Sequence, residues 1–201
     1  MIVKSVIFDF GRVISARKPL SLFDAYERDL GLEPGTINTV MFESRAWRET
    51  LLGRKSYDEF WQAIGPTMGL ETPSAVLAFQ LRYHRDEKVN EEVVEIIRKL
   101  YGRCKLAVLS NAPPGLGRWL AQWKILNCFD TVFCSGDEGL AKPDARVFQK
   151  VMERLAVKPG EALFVDDTQE HVEAARALGM HVLLFQDAAL LEKELKRHLL
   201  L

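Results

Sequence analysis

The sequence predicts an α/β fold: a parallel sheet of about five strands with helices on both faces, and a helical domain inserted after the first strand. Three observations carry this. Short apolar runs rich in Val, Ile, Leu and Phe recur at residues 2–8, 105–109, 131–134, 161–165 and 181–185, with helical patterns between and after them. The runs show little polar alternation, as expected of parallel strands covered on both faces. The stretch 15–88 holds no such run and is too long to be a loop.

In chain order, MIVKSVIFDF is interrupted by Lys4 and runs into Asp9 with no small-residue cleavage site. It reads as a first strand rather than a signal peptide. Helical segments then follow at Leu20 to Leu30, Ile37 to Leu51, Tyr57 to Ile64 and Pro73 to Arg85, with Gly31, Gly53 and the Gly65-Pro66 pair as turns. This gives a helical domain over 15–88 and a core from 1–14 with 89–201. Core helices are expected around Val93, Val94, Ile96, Ile97 and Leu100, around Val147, Phe148, Val151, Met152 and Leu155, and around Val172, Ala175 and Leu178. From Ala188 to Leu201 the chain is a leucine-rich amphipathic helix whose stripe is Leu190, Leu191, Leu195 and Leu199. The stripe most simply packs on the sheet; its other use would be an oligomer contact, so a monomer or a homodimer is expected.

Composition narrows the function. In 201 residues the formal charge is only -1, and no Lys/Arg run forms a tail able to neutralise nucleic acid or an anionic membrane. No apolar run reaches the roughly eighteen residues that a membrane span requires. The partner expected is therefore a small soluble molecule. Cys104, Cys128 and Cys134 are odd in number and lack C-x-x-C spacing, which argues against a disulfide framework or a zinc site and favours the cytoplasm.

Polar residues of distinctive type stand where the strand candidates end: Asp9, then Ser110 and Asn111, then Lys142 in the loop after the third, then Asp166 and Asp167. In an open α/β sheet the carboxyl ends of the strands border the ligand crevice, so these residues can converge there. Three carboxylates around one point need a cation among them, and an all-oxygen set suits Mg²⁺. Lys142 and the Ser110 hydroxyl would hold an anionic group against it.

With these residues in place, the sequence resembles the haloacid dehalogenase superfamily over nearly its whole length, specifically members with a small helical cap after the first motif. The motifs are VIFDFGRV, LAVLSNAP, GLAKPDARVF and FVDDTQEHVEAARALGM. The resemblance implies a Rossmann-like three-layer core and a Mg²⁺-dependent hydrolase, most simply a phosphatase of small phosphorylated metabolites such as sugar phosphates. It also implies residue roles. Asp9 would be the nucleophile, Ser110 and Asn111 phosphate-binding donors, and Lys142 the lysine that steadies nucleophile and phosphate. The metal would be held by Asp9, the Gly11 carbonyl, Asp166 and Asp167, and Phe10, Gly11 and Arg12 would border the substrate.

The sequence departs from the fuller family motif at Gly11, where a second aspartate would serve as general acid and base. A solvent molecule, the leaving group or His171 would have to replace it. Two other readings follow: a 2-haloacid dehalogenase, which lacks that aspartate but uses no metal, and a phosphate-binding protein with weakened turnover. Substrate choice should lie with the cap, whose candidates include Trp47, Arg45, Arg48, Phe60, Trp61, Tyr83, His84 and Arg85.

Overall fold

The structure, a computed structural model, describes residues 2–198 and 200–201. Its strands are β1 (Ser5–Phe8), β2 (Lys105–Ser110), β3 (Thr131–Cys134), β4 (Ala162–Asp166) and β5 (His181–Leu184). All pair in parallel, in the order β3-β2-β1-β4-β5, so β1 is central and the strand order reverses beside it. Such a switch point leaves a crevice at the strand ends. Here it lies just beyond Phe8 and Val165, which are register partners.

Side chains that alternate along a strand enter opposite layers. Val6 and Phe8, Leu106 and Val108, and Leu163 and Val165 enter one apolar cluster, which α6 (Glu91–Leu100), α7 (Leu116–Gln122) and α11 (Ala188–Arg197) cover. Ile7, Ala107, Leu109 and Phe164 enter the other, beneath α9 (Ala145–Leu155) and α10 (Gln169–Ala177). The expected three layers result. Phe164 meets Phe148 edge to face at 5.2 Å, and truncating such a buried ring costs about 3–5 kcal/mol.

Between β1 and α6 lie α1 (Leu20–Leu30), α2 (Thr36–Phe42), α3 (Arg45–Leu51), α4 (Tyr57–Ile64) and α5 (Pro73–Arg85), whose buried residues, among them Tyr26, Phe60, Trp61 and Phe79, form a third core. The chain enters and leaves this helical unit at adjacent points. Ser15 and Val89 form an antiparallel bridge, the Asn90 amide donates to Ile14 at 2.8 Å, and Lys18 pairs with Glu87. The unit meets the layers at Gly53, in the left-handed region at φ 67, where a Cβ would fall 2.4 Å from the carbonyl oxygen of Gly136 in α8 (Ser135–Glu138).

Three local expectations need correction. The single helix expected over 37–51 is two, because the Ser44 hydroxyl accepts the Trp47 amide at 3.1 Å and caps a new helix. Helix α7 was not expected, since Gly115 and Gly117 interrupt its apolar pattern. The final helix ends at Arg197; within the expected stripe Leu191 and Leu195 are buried, Leu190 is half-buried, and Leu199 lies outside the described residues.

Candidate functional site

Asp9 leaves β1 with its amide donating to the Val165 carbonyl at 2.8 Å, which fixes it beside β4. A wide turn follows at Phe10–Ile14, closed by the Ser15 amide donating to the Phe10 carbonyl at 2.8 Å. Lys142 reaches this point from the loop after α8. Its Nζ donates to Asp9 Oδ1 at 2.8 Å and to Asp166 Oδ2 at 2.6 Å, and all three residues are buried. Asp9, Asp166 and Asp167 each offer an oxygen within 4.8 Å of the others. Three carboxylates against the two cations Lys142 and Arg12 leave one net negative charge, a setting that suits a hard divalent cation. The donor set therefore fits Mg²⁺.

The electrostatics follow from burial. Loss of water pushes the Asp9 carboxyl above its ordinary pKa, opposed by the Lys142 ammonium. Burial also works against the Lys142 charge, but Asp9 and Asp166 outweigh it and hold the ammonium above its ordinary value. For Asp166 burial is again unfavourable, yet the hydrogen bond from His171 and the charge of Lys142 keep the carboxyl below its usual range.

The remaining expected residues gather here with different tasks. Ser110 is buried at the end of β2 and borders the cavity. The Asn111 side chain holds the lysine loop: Nδ2 donates one hydrogen to the Lys142 carbonyl at 2.9 Å and Oδ1 accepts the Lys142 amide at 2.8 Å, while the residue also borders the cavity. The Phe10 ring stacks on Trp123 at 5.3 Å and serves as wall. Gly11 has φ -64 and ψ 125, ordinary extended backbone. Arg12 is left-handed at φ 59 and turns back onto Asp167, with Nε 2.8 Å from Oδ2 and Nη2 3.2 Å from Oδ1. It pairs with a carboxylate of the core while still bordering the cavity. His171 Nδ1 lies 3.1 Å from Asp166 Oδ2.

Sequence reasoning missed Thr168, whose amide donates to Asp166 Oδ1 at 2.8 Å and whose hydroxyl donates to Asp167 Oδ1 at 3.3 Å. The signal was its place after the acidic pair, at the head of α10.

A cavity of about 560 Å³ opens from Asp9 towards the helical unit. Of the cap candidates, Trp47, Tyr83 and His84 line it. Phe60 and Trp61 are buried in the unit's own core, while Arg45 pairs with Glu49 and Arg48 with the Glu43 carbonyl. Arg85 is exposed away from it. The lining also includes Leu20, Phe23, Phe42, Tyr57 and, from α7, Trp119, none of them singled out from the sequence.

A sheet with this strand order, carrying an aspartate, a lysine and an acidic pair at its switch point, defines a class of hydrolase. The family model for haloacid dehalogenase-like hydrolases matches residues 4–179, and the chain belongs to that family. It is 26% identical to sesquiterpene phosphatase astK of Aspergillus oryzae over 96% of this chain and 95% of that protein. It is likewise 26% identical to D-ribitol-5-phosphate phosphatase of Bacteroides thetaiotaomicron, over 96% of this chain and 97% of the relative. It spans only 36% of the length of drimenol cyclase drtB of Aspergillus calidoustus, also at 26% identity.

Among solved structures, a HAD-like family hydrolase from Porphyromonas gingivalis shares the fold at TM-score 0.74 and 24% identity, over 98% of this chain and 99% of that one. The HAD family enzyme bt-2542 of Bacteroides thetaiotaomicron, in complex with magnesium and inorganic phosphate, does so at TM-score 0.75 and 19% identity, over 94% and 98%. L-2-haloacid dehalogenase of Xanthobacter autotrophicus is 25% identical, with TM-score 0.69 over 98% of this chain and 83% of that one. No helix of the described residues is long and apolar enough to cross a membrane.

Proposed function

We propose that the chain is a Mg²⁺-dependent phosphatase of small phosphorylated metabolites that forms an aspartyl-phosphate on Asp9. The observation that carries the reading is the division of labour at Asp9. Lys142 holds Oδ1, while Oδ2 lies towards Gly11, the residue whose built Cβ would stand 3.9 Å from it. Oδ2 is then the attacking oxygen: its bond to phosphorus forms as the ester P–O bond breaks.

Lys142 counters the charge of the transferring group, and the Ser110 hydroxyl supplies a donor. Asn111 acts through Lys142, as a positioning residue. The metal would be held by Asp9, Asp166, Asp167 and the Gly11 carbonyl; bound there, it would offset the charge of the carboxylates and supply Lewis acidity to the phosphoryl group. Two relatives carry phosphatase names, and bt-2542, which shares the fold, holds magnesium together with inorganic phosphate. The departing oxygen receives no proton from residue 11, so the leaving group or solvent provides it.

The 2-haloacid dehalogenase reading draws on the likeness to the Xanthobacter enzyme, but the acidic pair of buried Asp166 and half-buried Asp167 would repel a carboxylate substrate. The test is Asp9→Asn. It should abolish Mg²⁺-dependent release of nitrophenol from p-nitrophenyl phosphate while circular dichroism stays native, and mass spectrometry of the quenched parent should place a phosphoryl group on the peptide carrying Asp9. Undiminished hydrolysis by the folded variant sinks the covalent mechanism. Release of halide from a 2-haloacid without added metal would favour the dehalogenase.

A further inference from the structure

The end of the cavity away from Asp9 is aromatic, and two of its polar pairs are closed on themselves. Phe23 meets Phe42 edge on at 6.4 Å, Phe42 meets Trp47 at 5.7 Å, and His84 bridges to Trp119 at 5.1 Å. Within this wall the Tyr57 hydroxyl bonds His84 Nε2 at 3.1 Å, and Lys18 pairs with Glu87 beneath the Tyr83 ring. Asn38 and Arg17 stand at the exposed rim. A polyol entering here would give up water and find Tyr57, His84, Lys18 and Glu87 engaged with one another, a loss that specific hydrogen bonds would have to offset.

Hydrocarbon is in the opposite position. Leu20 remains 78% exposed and Phe42 39% exposed, both on the cavity lining. Apolar surface left to water inside a concavity favours an apolar occupant. The volume of about 560 Å³ exceeds what a phosphate group alone would fill, and lies within the roughly 300–1,000 Å³ of pockets that enclose organic ligands.

We propose that the substrate is the phosphate monoester of a bulky apolar alcohol, an aryl or branched-chain hydrocarbon, with its phosphate at Asp9 and Lys142 and its hydrocarbon against Leu20, Phe23, Phe42, Trp47 and Trp119. This rests on the phosphatase reading and names its substrate class, one different from sugar phosphates. The hydrocarbon sits where water would otherwise contact the aromatic wall, and it shields the aspartyl-phosphate end from bulk solvent.

The test uses phosphonates, which bind without turning over. Methyl-, butyl-, hexyl- and naphthylmethyl-phosphonate and a ribitol-derived phosphonate are titrated into the parent with Mg²⁺ by calorimetry. Affinity should rise roughly fourfold for each methylene buried until the cavity fills, with the naphthyl compound above butyl and the ribitol compound no tighter than methyl. Phe42→Asn, with native circular dichroism as the check on its fold, should cut the hexyl-to-methyl affinity ratio severalfold. A flat series, or preference for the ribitol compound, with normal hydrolysis of p-nitrophenyl phosphate overturns the apolar assignment alone. Absence of phosphonate binding together with absent hydrolysis overturns the phosphatase reading and this inference with it.

Discussion

The Lys142 ammonium donates to Asp9 Oδ1 at 2.8 Å across 133 residues of sequence and is buried together with its second partner, Asp166. Its charge stands between two carboxylates that would otherwise repel each other without water. Lys142→Met should therefore be costly beyond the loss of activity. Removing one partner of a buried ionic group typically costs about 3–5 kcal/mol. Urea denaturation without metal should show a loss of that order, partly recovered with Mg²⁺. A variant as stable as the parent without metal would mean that the carboxylates are not both ionised in the fold.

Gly11 is not glycine for conformational reasons. At φ -64 and ψ 125 any residue is accommodated, and an added Cβ would meet nothing closer than Asp9 Oδ2 at 3.9 Å. Gly11→Asp should therefore fold with near-parental stability and place an acid beside the departing oxygen. General acid–base catalysis contributes roughly 10²–10⁴-fold, and poor leaving groups should gain most. The measurement is rapid-mixing kinetics on aryl and alkyl phosphates. The parent should favour aryl esters with a burst of product, and the variant should narrow the difference. Equal parental rates on both classes, with no gain in the variant, would show that another group already moves the proton.

The fold was legible because its signals are local: apolar runs mark the strands, and Asp9, Ser110 and Asp166 stand at their ends. Lys142 stood out by type and position, but its two partners belong to strands distant in sequence. Arg12 was harder. Its turn back onto Asp167 depends on a left-handed φ of 59, which nothing in the side chain announces. Helix α7 was hidden by Gly115 and Gly117, and with it Trp119. The cavity wall was read only in part, because whether Trp61 or Phe42 faces inward depends on how α2, α4 and α5 pack against one another. Ser44 shows the limit of periodicity: apolar spacing runs through it, yet its hydroxyl ends one helix and caps the next.

His84 makes a pH prediction. Its ring stacks on Tyr57 at 5.4 Å and meets Trp119 edge on, with Lys18 and Asp58 as the charged groups acting on it. Burial, aided by Lys18, lowers its pKa from 6.5 to about 4, so the folded chain holds it neutral where the unfolded chain would protonate it. Between those values the unfolded state binds more protons, so this contribution is complete above about pH 6.5 and is lost as pH falls towards about 4. His84→Phe keeps the stacking and removes the proton site. Denaturation at about pH 7 and about pH 4.5 should show a smaller acid loss in the variant than in the parent. Identical losses would assign acid sensitivity to other groups.

Arg12 and the proposed metal would draw on the same carboxylate. The guanidinium contacts both oxygens of Asp167 but is half exposed, and such pairs are worth up to about 1 kcal/mol. Mg²⁺ at Asp9, Asp166 and Asp167 must share Asp167 with it or displace it. Removing the arginine takes one positive charge from the cluster, so Mg²⁺ should bind more tightly, by up to roughly fivefold at low salt and less at high salt. Arg12→Gly removes the guanidinium and also relieves the left-handed cost of about 1–2 kcal/mol that the parent arginine carries at φ 59, so the readout is Mg²⁺ affinity rather than stability. Asp167→Ala is the opposite control and should lose most of the Mg²⁺-dependent rise in melting temperature. Calorimetric Mg²⁺ titration of the three proteins separates two roles for the arginine. Tighter binding in Arg12→Gly makes it a competitor that metal must displace; weaker binding would mean that it holds Asp167 in place for the ion, and would overturn the competition argued here.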